Sequence, residues 1–395
     1  MIAALRLSLL AIIFLLPIMT PFQSYGYELS KILFFIFLTS LSGFLWLWLV
    51  HQKKIKLRWN AIKITSLIFV VILLFTSVLG TDTMASLTGK EPYFQGWVVY
   101  SYLWFFSLMV SSIHISLKTW SLGLVLSGFL VAFVAIRQFV EINFLGYYIP
   151  TYAGRVVSTF GQPNFYGGFL LLTLPFMTRK GWWIMTGFLM IVVAIILSQS
   201  RTALILLSGL MMIWLIKQLK GKKQLVFGVA LGTIILAITL SVFLSRLLFV
   251  SNPDLTKESV ENRVYIWPLS WQLILQKPFL GYGLENISTA FTNYFEENKH
   301  ALFEENLKVQ PFMFGLKDLI LDRSHNYLLD LSLFSGVLGL ATWLILIFTL
   351  FKSVKSKILL TGLITYLVWV QFQNQSVVHL IYFWLLVGLI DQDGT

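Results

Sequence analysis

The sequence predicts an all-α membrane protein, a polytopic helical bundle of about 12 transmembrane helices with one large extracytoplasmic helical loop. Composition points there first. Of 395 residues, 57% are hydrophobic, 16% aromatic and only 12% charged, whereas a soluble domain carries about a quarter of its residues charged. Mean hydropathy is +0.81. The second observation is a series of apolar stretches, each near the roughly 20 residues that a helix needs to cross the hydrocarbon. The third is the basic residues, which gather between alternate stretches.

The stretches lie near residues 4–20, 29–50, 61–80, 96–112, 119–138, 163–178, 182–198, 201–216, 225–245, 325–350, 358–372 and 376–390. The first has Arg6 ahead of its apolar run, as a signal peptide would, but no small-residue cleavage pattern follows, so it is expected to be a retained helix. The last two are short. Between them Gln371, Gln373, Asn374, Gln375 and Ser376 form a polar run that reads as the tip of a tight helical hairpin.

Placing the N-terminus in the cytoplasm puts 16 of the 29 Lys and Arg, but only Asp391 and Asp393 of the 17 acids, on the inner side. The inner loops then carry +14 and the outer ones −2, within a total of +12. Such a bias follows the positive-inside rule, so both termini are expected inside. The positive charge thereby sets orientation rather than marking a nucleic-acid partner. Membrane lipid is the expected surrounding.

Three outer segments are long, residues 81–95, 139–162 and about 246–324. The expected organisation is helices 1–9 in residues 1–245, an extracytoplasmic loop domain in 246–324 and helices 10–12 in 325–395. Within the loop, Val260, Val264, Trp267, Trp271 and Ile274 follow spacings of 4, 3, 4 and 3, the stripe of an amphipathic helix. Thr256 would cap it and Pro268 would kink it. A second polar helix is expected through residues 296–306.

Several chemistries are excluded or find no pattern. With no cysteine, disulfides, thiolate zinc sites, iron–sulfur ligation and a cysteine nucleophile are ruled out. No G-x-S-x-G occurs, and no His and acid spacing makes a ligand set, so neither metal nor cofactor is expected. What remains is a small group of ionisable residues at one membrane boundary, where their cost marks function by default.

Arg201 stands in "SQSRTAL" at the outer tip between two helices, beside polar rather than aromatic neighbours. A snorkelling arginine is the bland alternative. Arg263 lies in "ENRVYIWPLSW", where Glu258 or Glu261 would be its ordinary partners. Arg155 precedes "VVSTFGQPNFYGG", whose glycines permit close backbone approach and whose Gln162 and Asn164 add neutral donors and acceptors. His325 opens the tenth helix, next to Asn326 and Asp322, on the same face as the arginines; His51, His114, His300 and His379 read as structural. Asp330 falls about 140° round a helix from His325, a poor position for orienting its ring. Arginine forks suit phosphate oxygens and a histidine can take a proton from a hydroxyl, so the set fits displacement of a lipid diphosphate from a sugar.

At these residues the chain resembles the O-antigen ligase and polymerase superfamily. "RVVSTFGQPNFYGG", "SQSRTAL", "ENRVYIWPLSWQLILQKPFLGYGLEN" and "SHNYLLDLSLFSGVLGL" occur in that order, across about residues 155–340. The resemblance implies a GT-C-like helical membrane glycosyltransferase that works without a metal and takes a glycan from an undecaprenyl-diphosphate carrier. Its acceptor would be a glycolipid, a glycan or a protein, as in lipopolysaccharide or other polysaccharide biosynthesis. It implies that Arg201 and Arg263 bind the diphosphate and His325 activates the acceptor, with Arg155, Gln162, Asn164 and Asn326 as substrate contacts. Gln162 departs from the family's usual asparagine before proline. No extra domain is seen after the last helix to announce a protein acceptor.

The rival reading is a secondary transporter or a lipid-linked glycan flippase. Such a protein would hold charged residues near the bilayer midplane and break helices there. Here the helix centres carry almost no charge.

Overall fold

The computed structural model describes residues 1–21, 26–147, 152, 155–178, 181–218, 228–229, 232, 254–297 and 322–394. Among them the regular structure is helical: α1 (Ile2–Ile18), α2 (Tyr27–His51), α3 (Ala61–Val78), α4 (Thr83–Thr88), α5 (Trp97–Ser112), α6 (Leu117–Asn143), α7 (Pro163–Thr173), α8 (Trp182–Ser198), α9 (Arg201–Gln218), α10 (Asp254–Gln276), α11 (Ile287–Glu297), α12 (Tyr327–Ser353), α13 (Lys357–Trp369) and α14 (Val377–Gly394). Five of these, α2, α3, α6, α12 and α14, are long and apolar enough to cross a membrane, and others are apolar but shorter. The chain is an integral membrane protein. The apolar stretch at 225–245 lies outside the described residues except at three positions.

The helices show where lipid would lie. On α2, Leu33, Phe37, Leu41, Phe44 and Trp48 form an uncovered line at helical spacing, and on α8 Trp182, Met185, Leu189, Val193 and Ile196 do the same. α14 differs: it is buried almost all round, packed among α5, α12, α13, α2 and α3, and is the axis of the bundle. Charged side chains within the apolar helices keep to their ends. Lys63, in the first turn of α3, pairs with Asp391 near the end of α14, and Asp393 accepts from the backbone of Lys355 and Ser356 at 2.8 and 2.6 Å. The two acids that the charge division assigns to the inner side thus meet at one end of the bundle.

At the opposite end α12 is broken. Gly336, its tenth residue, takes φ 59° and ψ −160°. The break leaves the carbonyls of Leu333 and Phe334 without helical donors, and residues 278–283 fill the gap. Tyr282 N donates to Leu333 O at 2.7 Å, Gly283 N to Phe334 O at 2.9 Å, and Val337 N to Pro278 O at 2.8 Å. Non-helical backbone inside a membrane bundle requires such protein partners, since hydrocarbon offers none. Gly281, at φ 65°, makes the approach possible, because a Cβ there would lie 2.7 Å from Phe334 C.

Three expectations are corrected. Thr256 is not the N-cap of α10, because the helix is already formed at Asp254. α10 continues past Pro268 to Gln276. Trp267 and Ile274 of the expected stripe pack against the core, but Trp271 is 57% exposed, and Ile266, Ser270 and Leu273 on the adjacent line are buried. The side chains of Val260 and Val264 lie outside those described. The polar helix expected through 296–306 falls outside the described residues beyond Glu297, where α11 is last seen. The sixth stretch is shorter than expected, with α7 tightening into a 3₁₀ turn at Leu174–Phe176.

Candidate functional site

The loop between α13 and α14 gathers the site. Its residues 370–376 are the hairpin tip expected from the polar run, and Gln373, Asn374, Gln375 and Ser376 are all buried. Buried amides need partners, and hydrogen bonds hold this loop, with Asn374 Oδ1 left unpartnered among the described residues. Tyr366 Oη donates to Gln375 Oε1 at 2.6 Å, Gln95 Nε2 to Gln375 O at 2.8 Å, and Asn374 Nδ2 to Tyr93 Oη at 2.8 Å. Held this way, three consecutive residues face the three segments that carry the candidate residues. Asn326 Nδ2 donates to Gln371 O at 3.3 Å, Arg263 Nη2 to Phe372 O at 2.9 Å, and Gln373 Nε2 to Thr202 Oγ1 at 2.9 Å. Arg263, the neighbour of His325 and the neighbour of Arg201 thus meet one loop from three different elements.

Their charges register on each other. Burial lowers the Arg263 pKa, and the charge of Arg201 lowers it further. His325 is held down to about 4, mainly by burial and then by the Arg263 charge. The imidazole is consequently neutral at physiological pH, and its Nδ1 is buried with no hydrogen-bond partner among the described residues. The carboxylates of Glu258 and Glu261 lie outside the described side chains.

His325 occupies a left-handed backbone conformation, φ 60°. Several contacts surround it. Ser324 N donates to Asp330 Oδ1 at 2.7 Å, Trp267 Nε1 to Ser324 O at 3.0 Å, and Asn326 Oδ1 caps α12 by accepting from Leu329 N at 3.1 Å. On the other side Arg323 forms a buried ion pair with Glu285 at 2.6 Å, its guanidinium 4.4 Å from the Tyr93 ring and 4.9 Å from that of Phe334. Glu285 Oε1 also accepts from Gln95 N at 3.2 Å. Between these groups and Gln373, Asn374 and Gln375 lies a polar cavity of about 10 Å³, the room of a single water. Burial raises the pKa of Asp322 against the opposing charge of Arg323.

Arg323, Glu285, Tyr93 and Gln95 were not singled out from the sequence, although Arg323 stands two residues from His325. Asp330 was weighed only as a partner for the imidazole. Its carboxylate bonds the backbone one residue before the histidine rather than the ring.

The remaining candidates lie on the segment that leads into α7. Arg155 pairs through its backbone with Tyr152, and its guanidinium lies 5.6 Å from that ring. Gln162 spends its side-chain oxygen capping α7, accepting from Phe165 N at 3.0 Å, and Asn164 is half-buried in the first turn. The glycines after them are packing residues: a Cβ on Gly167 would lie 2.8 Å from Ser198 Oγ. His379 is structural too, with Nδ1 accepting from Ser376 N at 3.1 Å and its ring stacked on Trp369 at 4.2 Å. Among the described residues, no three His, Asp or Glu are placed to hold a metal.

Fold and site together define a helical membrane protein with a basic, histidine-bearing centre at one end of its bundle. Residues 186–344 match the family model described as O-Antigen ligase. The chain is also similar to two proteins of Acinetobacter baylyi (strain ATCC 33305 / BD413 / ADP1). One is a ComP-specific O-oligosaccharyltransferase, 28% identical over 243 residues, which are 57% of this chain and 41% of that protein. The other is a general O-oligosaccharyltransferase, 28% identical over 264 residues, 60% of this chain and 43% of the relative. The match thus spans less than half the length of either relative. Arg201, Arg263, His325 and Asn326 fall inside the family-matched region, whereas Arg155, Gln162 and Asn164 precede it.

Proposed function

We propose that this protein is a membrane glycosyltransferase that moves a glycan from an undecaprenyl-diphosphate carrier to an acceptor hydroxyl at the outer face of a bacterial inner membrane. The observation that supports the reading is that Arg263 and the chain neighbours of His325 and Arg201, namely Asn326 and Thr202, are hydrogen-bonded to residues 371–373. Two guanidiniums whose charges oppose each other gain from an anion between them, and a diphosphate supplies one with oxygens matched to their forks.

In this reading the acceptor oxygen forms a bond to the anomeric carbon while the bond from that carbon to the diphosphate breaks. The bonding pair leaves with the diphosphate, where Arg201 and Arg263 stabilise the added charge. His325 takes the acceptor proton, and its neutral imidazole leaves it free to do so. Arg155, Gln162 and Asn164 contact the glycan or lipid, and Asn326 supports the histidine by capping α12. No step calls on a metal. The family match and the names of the two relatives support glycan transfer as the class of reaction.

Replacing Arg201, Arg263 or His325 by alanine should abolish transfer in a membrane assay while the protein still purifies. Arg→Lys at either position should also fail, because lysine keeps charge but not the fork. Normal transfer by all three alanine variants would remove the mechanism. Transport or flipping without chemistry is the rival, and gradient-driven uptake of substrate into liposomes by the purified protein would establish it instead.

A further inference from the structure

We infer that Asp330 and Trp267 are positioning residues for His325, setting the direction of its imidazole through the backbone of Ser324. This rests on the reading of His325 as the base that receives the acceptor proton. A histidine used in this way is ordinarily aimed by a carboxylate or carbonyl on its second ring nitrogen. His325 has no such partner, since its Nδ1 is buried without a hydrogen bond among the described residues. The described contacts that can aim the ring are those of its backbone, and that backbone is unusual. At φ 60° it lies in the left-handed region, which L residues other than glycine rarely adopt unless their neighbours hold them there.

Two groups clamp the preceding residue from opposite sides. Asp330 Oδ1 accepts from Ser324 N at 2.7 Å and Trp267 Nε1 donates to Ser324 O at 3.0 Å, so both backbone polar atoms of Ser324 are used, the second in the peptide link to His325. Ser324 is fully buried and Asp330 is 5% exposed, so water does not compete for these bonds. The hydroxyl of Ser324 completes the turn, donating to Asn326 O at 2.9 Å and accepting from Asn326 N at 3.2 Å. Trp267 also stands one helical turn along α10 from Arg263, whose guanidinium donates to Phe372 O. A single rigid helix face thus sets the spacing between the arginine and the histidine loop, and Asp330 fixes the other end of that loop from α12.

The test uses the full chain purified in lipid nanodiscs, with Asp330→Ala, Asp330→Asn and Trp267→Phe. Two quantities are measured: kcat and KM for the lipid-diphosphate glycan donor, and the rate of His325 carbethoxylation by diethyl pyrocarbonate, resolved by peptide mass spectrometry. Asp330→Ala should lower kcat at least about 10-fold with donor KM nearly unchanged, the pattern of a misplaced reacting group. It should also change the carbethoxylation rate several-fold. Asp330→Asn keeps an oxygen acceptor for Ser324 N and should restore both quantities to near wild type. Trp267→Phe keeps the bulk but removes the N–H donor and should show a smaller loss of the same kind, and it carries the test if Asp330→Ala fails to purify. The inference is overturned if Asp330→Ala and Trp267→Phe leave His325 reactivity unchanged, or if Asp330→Asn is as damaged as Asp330→Ala. Carbethoxylation needs no donor. If it follows the expected pattern in a protein that transfers no glycan, the positioning stands and the proposed function falls.

Discussion

A histidine on an arginine-rich face would be expected to lose its proton with difficulty in the presence of bound anions, yet His325 without ligand is held neutral. Burial and the Arg263 charge bring its pKa down to about 4, against an ordinary value near 6.5. The sign follows. Between about pH 4 and 6.5 the unfolded chain binds a proton that the folded chain does not, so this group's contribution to stability falls as pH falls through that window. If His325 is the base, kcat/KM should stay level from neutral pH down past about 6 and decline only toward about 4. A rate profile measured in nanodiscs checks this, and an inflection near the ordinary histidine value would show that another environment governs the group. The three central residues were legible because ionisable side chains at the edge of apolar helices are conspicuous. Arg323, Glu285 and Asp330 were not read for their roles, since their partners are a matter of tertiary folding. Arg323 and Glu285 are 38 residues apart, with nothing in either local sequence to announce the pair.

At the scale of elements, the site depends on backbone that leaves the helical pattern. The insertion of residues 278–283 into the broken α12 joins the helix that carries Arg263 to the helix that follows His325. Gly336→Ala should destabilise the fold by at least about 1–3 kcal/mol, the cost of a non-glycine residue in such a conformation. Its Cβ would also collide with the Phe279 carbonyl, so a lowered melting temperature is the expected reading. The Arg323–Glu285 pair gives a second case. Glu285→Gln leaves a buried guanidinium short of its counter-charge and should cost about 3–5 kcal/mol, while replacing both partners by apolar residues should recover much of that loss. A melting comparison of single and double variants measures the difference. Helix positions followed from apolar run length, and the hairpin tip from its amides. The break at Gly336 did not, because the residues around it are as apolar as a continuous span, and the register of α10 was ambiguous between two adjacent lines.

For the whole molecule, the proposed orientation rests on how the +12 net charge divides between loops. In that orientation the excess lies on the inner loops, and the three candidate residues lie at the end opposite to the Lys63–Asp391 contact. The absence of cysteine makes the orientation directly measurable, because any introduced thiol is unique. Thr292→Cys should react with a membrane-impermeant maleimide on intact spheroplasts, and Lys54→Cys should react only after the membrane is opened. The opposite labelling would invert the molecule and place the site on the wrong side for an outer-face acceptor.

The central claim is glycan transfer from a lipid diphosphate by the Arg201, Arg263 and His325 centre. Purified wild-type protein, given an undecaprenyl-diphosphate glycan and an acceptor hydroxyl compound, should release undecaprenyl diphosphate in step with glycosylated acceptor, and His325→Ala protein of equal thermal stability should release neither. Equal release by the two proteins, or no release by wild type with an acceptor from its own cell envelope, would contradict the account.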